Sequence, residues 1–143
     1  MTIEELHAGA TGRAFAAMRA LRPQLADEDE FARRVDEQQR PEGYRLVAAV
    51  EDDGTVTAVA GFHVMTMLAY GRMLYVDDLS TLPAARRRGH ARTLLDWLVE
   101  EGRRLGCDEL HLDSGVGPER ATAHRLYFNA GMRIRSYHFD LRL

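Results

Sequence analysis

Apolar residues recur along the chain at two different periods, and the change of period predicts its elements. In the first third Ala14, Phe15, Met18 and Leu21-Arg22 recur at helical spacing before Pro23, and Asp27 is placed to cap a second helical segment carrying Phe31 and Val35. Thr2 to Leu6 reads as a short strand. From Tyr44 the period becomes that of strands: Leu46-Val47-Ala48-Ala49-Val50, the turn signal Asp52-Asp53-Gly54, then Thr55 to Met67. A second turn at Ala69-Tyr70-Gly71-Arg72 leads into a third strand from Met73 to Thr81. Three strands joined by short connections make an antiparallel meander.

Pro83 ends that strand, and a polar, Arg-rich stretch precedes the strongest helical pattern in the chain. Ala91, Leu94, Leu95, Leu98, Gly102 and Leu105 lie three or four apart, while Asp96, Glu100, Glu101, Arg103 and Arg104 fall off that stripe. Gly106 is placed to stop the helix, and Glu109-Leu110-His111-Leu112-Asp113 reads as a strand. Strand, helix, strand implies a parallel crossover. After the loop Ser114-Gly115-Val116-Gly117-Pro118 come a helix from about Glu119 to Ala130, ended by Gly131, and a final strand from Met132 or Arg133 onward. The predicted fold is α/β (α+β): a mixed sheet, an antiparallel meander followed by a parallel crossover, with helices on both faces. With no repeat, linker or low-complexity stretch, residues 1–143 read as a single domain.

Composition narrows the class. The 143 residues include 19 Lys plus Arg against 22 Asp plus Glu, a net charge of −3, so bulk attraction to nucleic acid or anionic lipid is not expected. A 45% hydrophobic content supplies one ordinary core and argues against disorder. The single cysteine, Cys107, cannot form an internal disulfide, and no Cys/His cluster has zinc-ligand spacing. A reducing, cytoplasmic setting and no resident metal are expected. The N-terminal Glu4-Glu5 stands where a signal peptide needs bases, and no apolar run approaches the roughly 18 residues of a membrane span.

Candidate chemistry concentrates in Arg86-Arg87-Arg88-Gly89-His90-Ala91, between a strand and the first turn of an amphipathic helix, with Arg92 and Thr93 continuing into that helix. Free backbone N–H groups and the helix dipole suit such a turn to phosphate oxygens, and guanidinium groups add charge. Taken alone, the run reads more readily as solvated surface than as a binding turn. The wider stretch, Leu79-Ser80-Thr81-Leu82-Pro83-Ala84-Ala85 through Ala91 and then Thr93-Leu94-Leu95, resembles the cofactor motif of the GNAT superfamily of N-acetyltransferases. That motif is a strand, Pro, two residues, then Arg-x-x-Gly-x-Gly or Ala opening a helix. Downstream, Ala123-His124-Arg125-Leu126-Tyr127-Phe128-Asn129-Ala130-Gly131-Met132 is similar to the superfamily's Ala-x-x-Leu-Tyr-x-x-x-Gly-Phe segment. The two motifs stand in the superfamily's order, and the predicted elements match its fold from about Tyr44 onward.

The resemblance implies an N-acetyltransferase that moves an acetyl group from acetyl-CoA to a primary amine by direct transfer in a ternary complex. It assigns the pyrophosphate to Arg86, Arg87, Arg88, Gly89, His90, Ala91 and Arg92, with Thr93 as a side-chain contributor, and the pantetheine arm to the main chain of Leu79, Ser80 and Thr81. Tyr127 matches the superfamily's general acid for the departing thiolate, and Asp77 a common acidic position that can take the amine's proton. Strand alternation would allow only one of Asp77 and Asp78 to face the acceptor. The alternative for both acids is bracing of neighbouring loops, and His63, His111 and His124 are alternative bases. Arg120 stands where relatives carry a cofactor-contacting Asn, so it binds a CoA phosphate or faces water. The expected partner is a small-molecule amine, cationic by charge complementarity, with no nucleic acid and no membrane. Relatives often dimerise, so a homodimer is also in view. The rival readings are a non-catalytic acyl-CoA-binding or sensor domain and a peptide or protein N-acetyltransferase.

Overall fold

The strand-period segments pair into one sheet. A computed structural model describes residues 1–143 and contains β1 (Thr2–Glu5), β2 (Arg45–Val50), β3 (Val56–Met67), β4 (Gly71–Thr81) and β5 (Glu109–Leu112). The sheet order is β1-β2-β3-β4-β5, and the first three pairs are antiparallel. The helices are α1 (Phe15–Leu21), α2 (Glu28–Arg34), α3 (His90–Arg104) and α4 (Ala121–Asn129). Contacts gather into two units, residues 1–111 and 112–143.

In the first unit every residue from Leu46 to Val50 is buried, which requires cover on both faces of β2. Leu46, Ala48 and Val50 join the core formed with Met18, Phe31 and Val35 from the α1 and α2 side. Val47 and Ala49, alternating with them, point the other way. There α3 packs on β2, β3 and β4 and buries Leu94, Leu95 and Leu98. Each such Leu contributes roughly 1.5–3 kcal/mol. The predicted helices therefore lie on both faces.

Local chemistry sets the ends. Asp27 Oδ1 accepts from the Glu30 N–H at 2.8 Å, the N-cap expected from sequence. Gly106 takes φ +72, and the Cys107 N–H returns to the Gly102 carbonyl at 2.8 Å, closing α3. The turn before β3 is tied by Asp53 Oδ1, which accepts from the Thr55 N–H at 2.9 Å. No helix is long and apolar enough to cross a membrane.

In the second unit, a 3-10 turn at Pro118–Arg120 leads into α4, and Gly131 at φ +87 ends it, with the Met132 N–H on the Tyr127 carbonyl at 3.0 Å. The final strand expected from Met132 or Arg133 does not form. Residues 132–143 have no regular structure, and every residue from Arg133 on is exposed. A strand exists only against a neighbour that takes up its backbone donors and acceptors, and within one chain this segment has none in a ladder.

Candidate active site

The β3–β4 pairing carries one irregularity, and it falls on the aspartates. Gly61 pairs with Asp78 and Phe62 with Val76, so Asp77 is the extra residue of a β-bulge. The bulge overturns the alternation expected of Asp77 and Asp78: both side chains join one cluster. Asp77 meets His63 Nδ1 through Oδ1 at 2.8 Å and Oδ2 at 3.0 Å. Asp78 Oδ1 accepts from Arg22 Nε at 2.9 Å, and its Oδ2 accepts from the Tyr44 hydroxyl at 2.9 Å. Arg22 also donates to the Asp77 carbonyl at 3.1 Å, and the Tyr44 and His63 rings lie edge to face with centroids 5.4 Å apart. Gly61 makes room for this arrangement, since a Cβ there would sit 1.7 Å from the Tyr44 hydroxyl oxygen.

The two acids have different tasks open to them. Burial pushes the Asp77 carboxyl above its ordinary range, against the opposing pull of His63. Burial first, and then the Asp78 charge, push the Tyr44 phenol well above its ordinary value, so Tyr44 stays a donor to Asp78. Both Asp78 oxygens are thus answered within the protein, whereas Asp77 and His63 form a carboxylate–imidazole pair that leaves His63 Nε2 for another partner. A cavity of about 130 Å³ opens beside Asp78, lined by Met18, Arg22, Leu25, Phe31 and Tyr44 among others.

Leu79, Ser80 and Thr81 end β4, paired with Ala60, Val59 and Ala58. The Ser80 hydroxyl donates to the Ala17 carbonyl at 2.7 Å, fixing α1 against this strand end. Beyond Pro83–Ala85, Arg87 adopts φ +63 and Gly89 φ +83, and His90 opens α3. A left-handed arginine costs about 1–2 kcal/mol. Two left-handed residues curl the backbone here, and no side chain caps α3, so its first N–H groups are left for a ligand. A Cβ on Gly89 would meet nothing within 4 Å, so the backbone faces open space. Arg86, Arg87, Arg88 and Arg92 are exposed, Ala91 is partly buried, and Thr93 turns its hydroxyl back to the Gly89 carbonyl at 3.0 Å.

Glu51, which sequence reasoning did not single out, also reaches this turn. Its Oε1 accepts from Arg88 at 3.0 Å and lies 3.1 Å from His90 Nε2. His90 is 5% exposed, and neither ring nitrogen has hydrogen-bond geometry to a partner despite that short separation. His90 is thus a buried imidazole at the start of α3, set beside the Glu51 carboxylate that also holds Arg88.

In the second unit, burial raises the Tyr127 phenol above its ordinary value, and Arg120 opposes the shift through its charge and a hydrogen bond. The arginine that replaces the superfamily's Asn therefore acts on the tyrosine of the second motif. His124 Nε2 is occupied by the Ser114 hydroxyl at 3.0 Å, and in the first unit His111 Nε2 lies 3.0 Å from Glu109. Of the alternative bases, His63 alone stands beside Asp77. Its signal in sequence was the polar His inside an otherwise apolar strand run, Val59 to Met65. Met65 and Met67 are 37% and 40% exposed, while Met73 is buried. Trp97 packs edge-on to Phe62 of the central strand β3, centroids 6.1 Å apart.

Comparison with known proteins places this geometry. Solved structures similar over nearly whole chains include a ribosomal-protein-alanine N-acetyltransferase from Brucella melitensis biovar Abortus 2308, with TM-score 0.84, 18% identity and 100% of each chain covered. A transcriptional regulator from Bacillus halodurans C-125 gives TM-score 0.83 at 18% identity, with 99% of each chain covered. Glucosamine-6-phosphate N-acetyltransferase from Arabidopsis thaliana gives 0.75 at 16%, covering 99% of this chain and 97% of its own. At these identities the likeness is one of fold. No curated protein matches. The family model described as "Acetyltransferase (GNAT) family" matches residues 14–132, from the start of the helical segment through Gly131-Met132. The chain belongs to the GNAT acetyltransferase family.

Proposed function

We propose that the protein transfers an acetyl group from acetyl-CoA to a primary amine of a small molecule, directly and without a covalent acetyl-enzyme. The observation that carries the reading is the curled backbone from Arg87 to Gly89 leading into an uncapped α3, with four exposed arginines and the buried His90 around it. These residues fit a pyrophosphate: the N–H groups and dipole supply donors and partial positive charge, and the arginines supply full charge. GNAT members generally use acetyl-CoA, which brings a thioester already activated for attack.

The residues then divide the proton traffic. Most alkylamines are charged at neutral pH, so a base must take a proton before nitrogen attacks the thioester carbon. His63 accepts that proton at Nε2, and Asp77, on Nδ1, fixes the tautomer and steadies the imidazolium. The C–N bond forms as the C–S bond breaks, and Tyr127 gives its proton to the departing sulfur. The second proton that the nitrogen sheds on becoming an amide goes to solvent, from which the Tyr127 phenolate is reprotonated, while His63 releases the first to solvent. A phenol raised by burial keeps that proton at neutral pH. Asp78, held by Arg22 and Tyr44, builds the wall of the adjoining cavity instead of acting as base.

Isothermal titration of CoA and acetyl-CoA tests the turn. Gly89→Glu puts a negative side chain where the backbone now faces open space, and binding is expected to fall at least 100-fold. Equal binding by the native chain and Gly89→Glu would move the cofactor elsewhere.

A further inference from the structure

The cavity of about 130 Å³ beside Asp78 has a buried apolar floor made by Met18, Leu25, Phe31 and Val35. An apolar cavity of about 150 Å³ takes a benzene ring, so this one takes an apolar body of about four to six carbons. The wall that carries Val35 is a π-helical turn, Val35–Gln39, directly after α2, and both of its end residues line the cavity. A single π-helical turn is rare and frequently marks a functional site.

Charge says what enters. The charged residues of the lining are Arg22, Arg34 and Asp78. Arg22 and Asp78 neutralise each other, with Arg22 Nε on Asp78 Oδ1 at 2.9 Å, and the other Asp78 oxygen accepts from the Tyr44 hydroxyl. Arg34, exposed on the last turn of α2, makes no hydrogen bond or ion pair within the protein. The cavity thus carries one uncompensated positive charge, on the side chain best shaped to hold a carboxylate by two parallel bonds. The chain's net charge of −3 favours a cationic acceptor, but at this cavity the one acidic residue is already neutralised.

Tyr44 joins the cavity to the acid–base pair. Its hydroxyl, on Asp78, is part of the cavity wall, and its ring meets His63 edge to face with centroids 5.4 Å apart. An amine brought to His63 therefore leaves the rest of its molecule one aromatic ring away from the cavity.

We propose that the acceptor is an amino carboxylic acid with an apolar body of about four to six carbons. Its amine lies at His63, its body fills the cavity over Met18, Leu25, Phe31 and Val35, and Arg34 holds its carboxylate. The products are the N-acetyl amino acid and the CoA thiol. The chemistry rests on the acetyl-transfer reading above, whereas the binding does not.

Arg34→Gln tests this, because an exposed side chain without a partner can be changed without disturbing the fold. L-Leucine carries its carboxylate beside the amine and 6-aminohexanoate at the far end; 3-methylbutylamine and pentylamine are the same bodies without it. In thiol-release kinetics, kcat/KM for at least one of the two acids is expected to exceed that of its plain amine at least tenfold. Arg34→Gln is expected to remove that advantage and leave the plain amine unchanged. Titration of N-acetyl-L-leucine and 6-acetamidohexanoate reads the same contact without catalysis, and Arg34→Gln is expected to weaken the better-bound product at least tenfold. Product binding that depends on Arg34, with no thiol release from any amine, would sustain the carboxylate site and remove the transfer reading. Thiol release no faster with either acid than with its plain amine would overturn the proposal and leave the transfer reading standing. Product binding that Arg34→Gln leaves unchanged overturns it as well.

Discussion

The fate of one proton separates Asp77 from Asp78. Asp78 spends both oxygens on Arg22 and Tyr44, whereas Asp77 faces only His63. Asp77→Asn is therefore expected to lower kcat/KM by about 10²–10³ while leaving thermal stability nearly unchanged. Asp78→Asn is expected to act mainly on stability, by roughly 1–3 kcal/mol, because Arg22 and Tyr44 lose a charged acceptor. Steady-state kinetics with thermal melts of both variants decides this; a larger kinetic loss in Asp78→Asn would reverse the roles. Tyr127 gives a pH prediction. If Tyr127 is the acid proposed above, activity needs its phenol protonated; burial raises its pKa and Arg120 pulls it down, so Arg120→Gln should move the alkaline limb of the kcat profile to higher pH. A limb that stays in place or moves down would take Arg120 away from the tyrosine. The sequence named Tyr127, Asp77 and Arg120 as positions. It could not say that Arg120 works on Tyr127, because that depends on where a 3-10 turn aims a side chain.

At the scale of elements, period and punctuation were enough for most of the fold. Asp27 caps α2, Gly106 ends α3, and the three-stranded meander forms with its predicted turns, because each signal acts over a few residues. The bulge at Asp77 was not legible. An extra residue in one strand leaves no mark in the alternation of that strand alone, and its sign is on the neighbour, in Gly61, whose missing side chain admits Tyr44. Gly61→Ala thus tests the bulge without touching an acid. It should cost about 1–3 kcal/mol in urea unfolding by overpacking, and should cut activity by displacing Tyr44 from beside His63. Unchanged stability would mean that the Tyr44 ring is free to lie elsewhere.

At the scale of the whole molecule, the resemblance carried by two short motifs extended correctly to a family and to a fold shared over nearly complete chains. The final strand expected from Met132 or Arg133 did not form: residues 137–143 have the alternation of a strand, but alternation alone does not make one without a ladder partner, and this segment pairs with none. The most direct test follows thiol release from acetyl-CoA while amino acids, polyamines, aminoglycosides and peptides are supplied in turn. The account predicts release that depends on one class of small primary amine, falls 10²-fold or more in His63→Ala, and falls likewise in Tyr127→Phe with CoA binding intact. Tight CoA binding with no acceptor-dependent release from any amine would contradict it and leave a binding domain without chemistry.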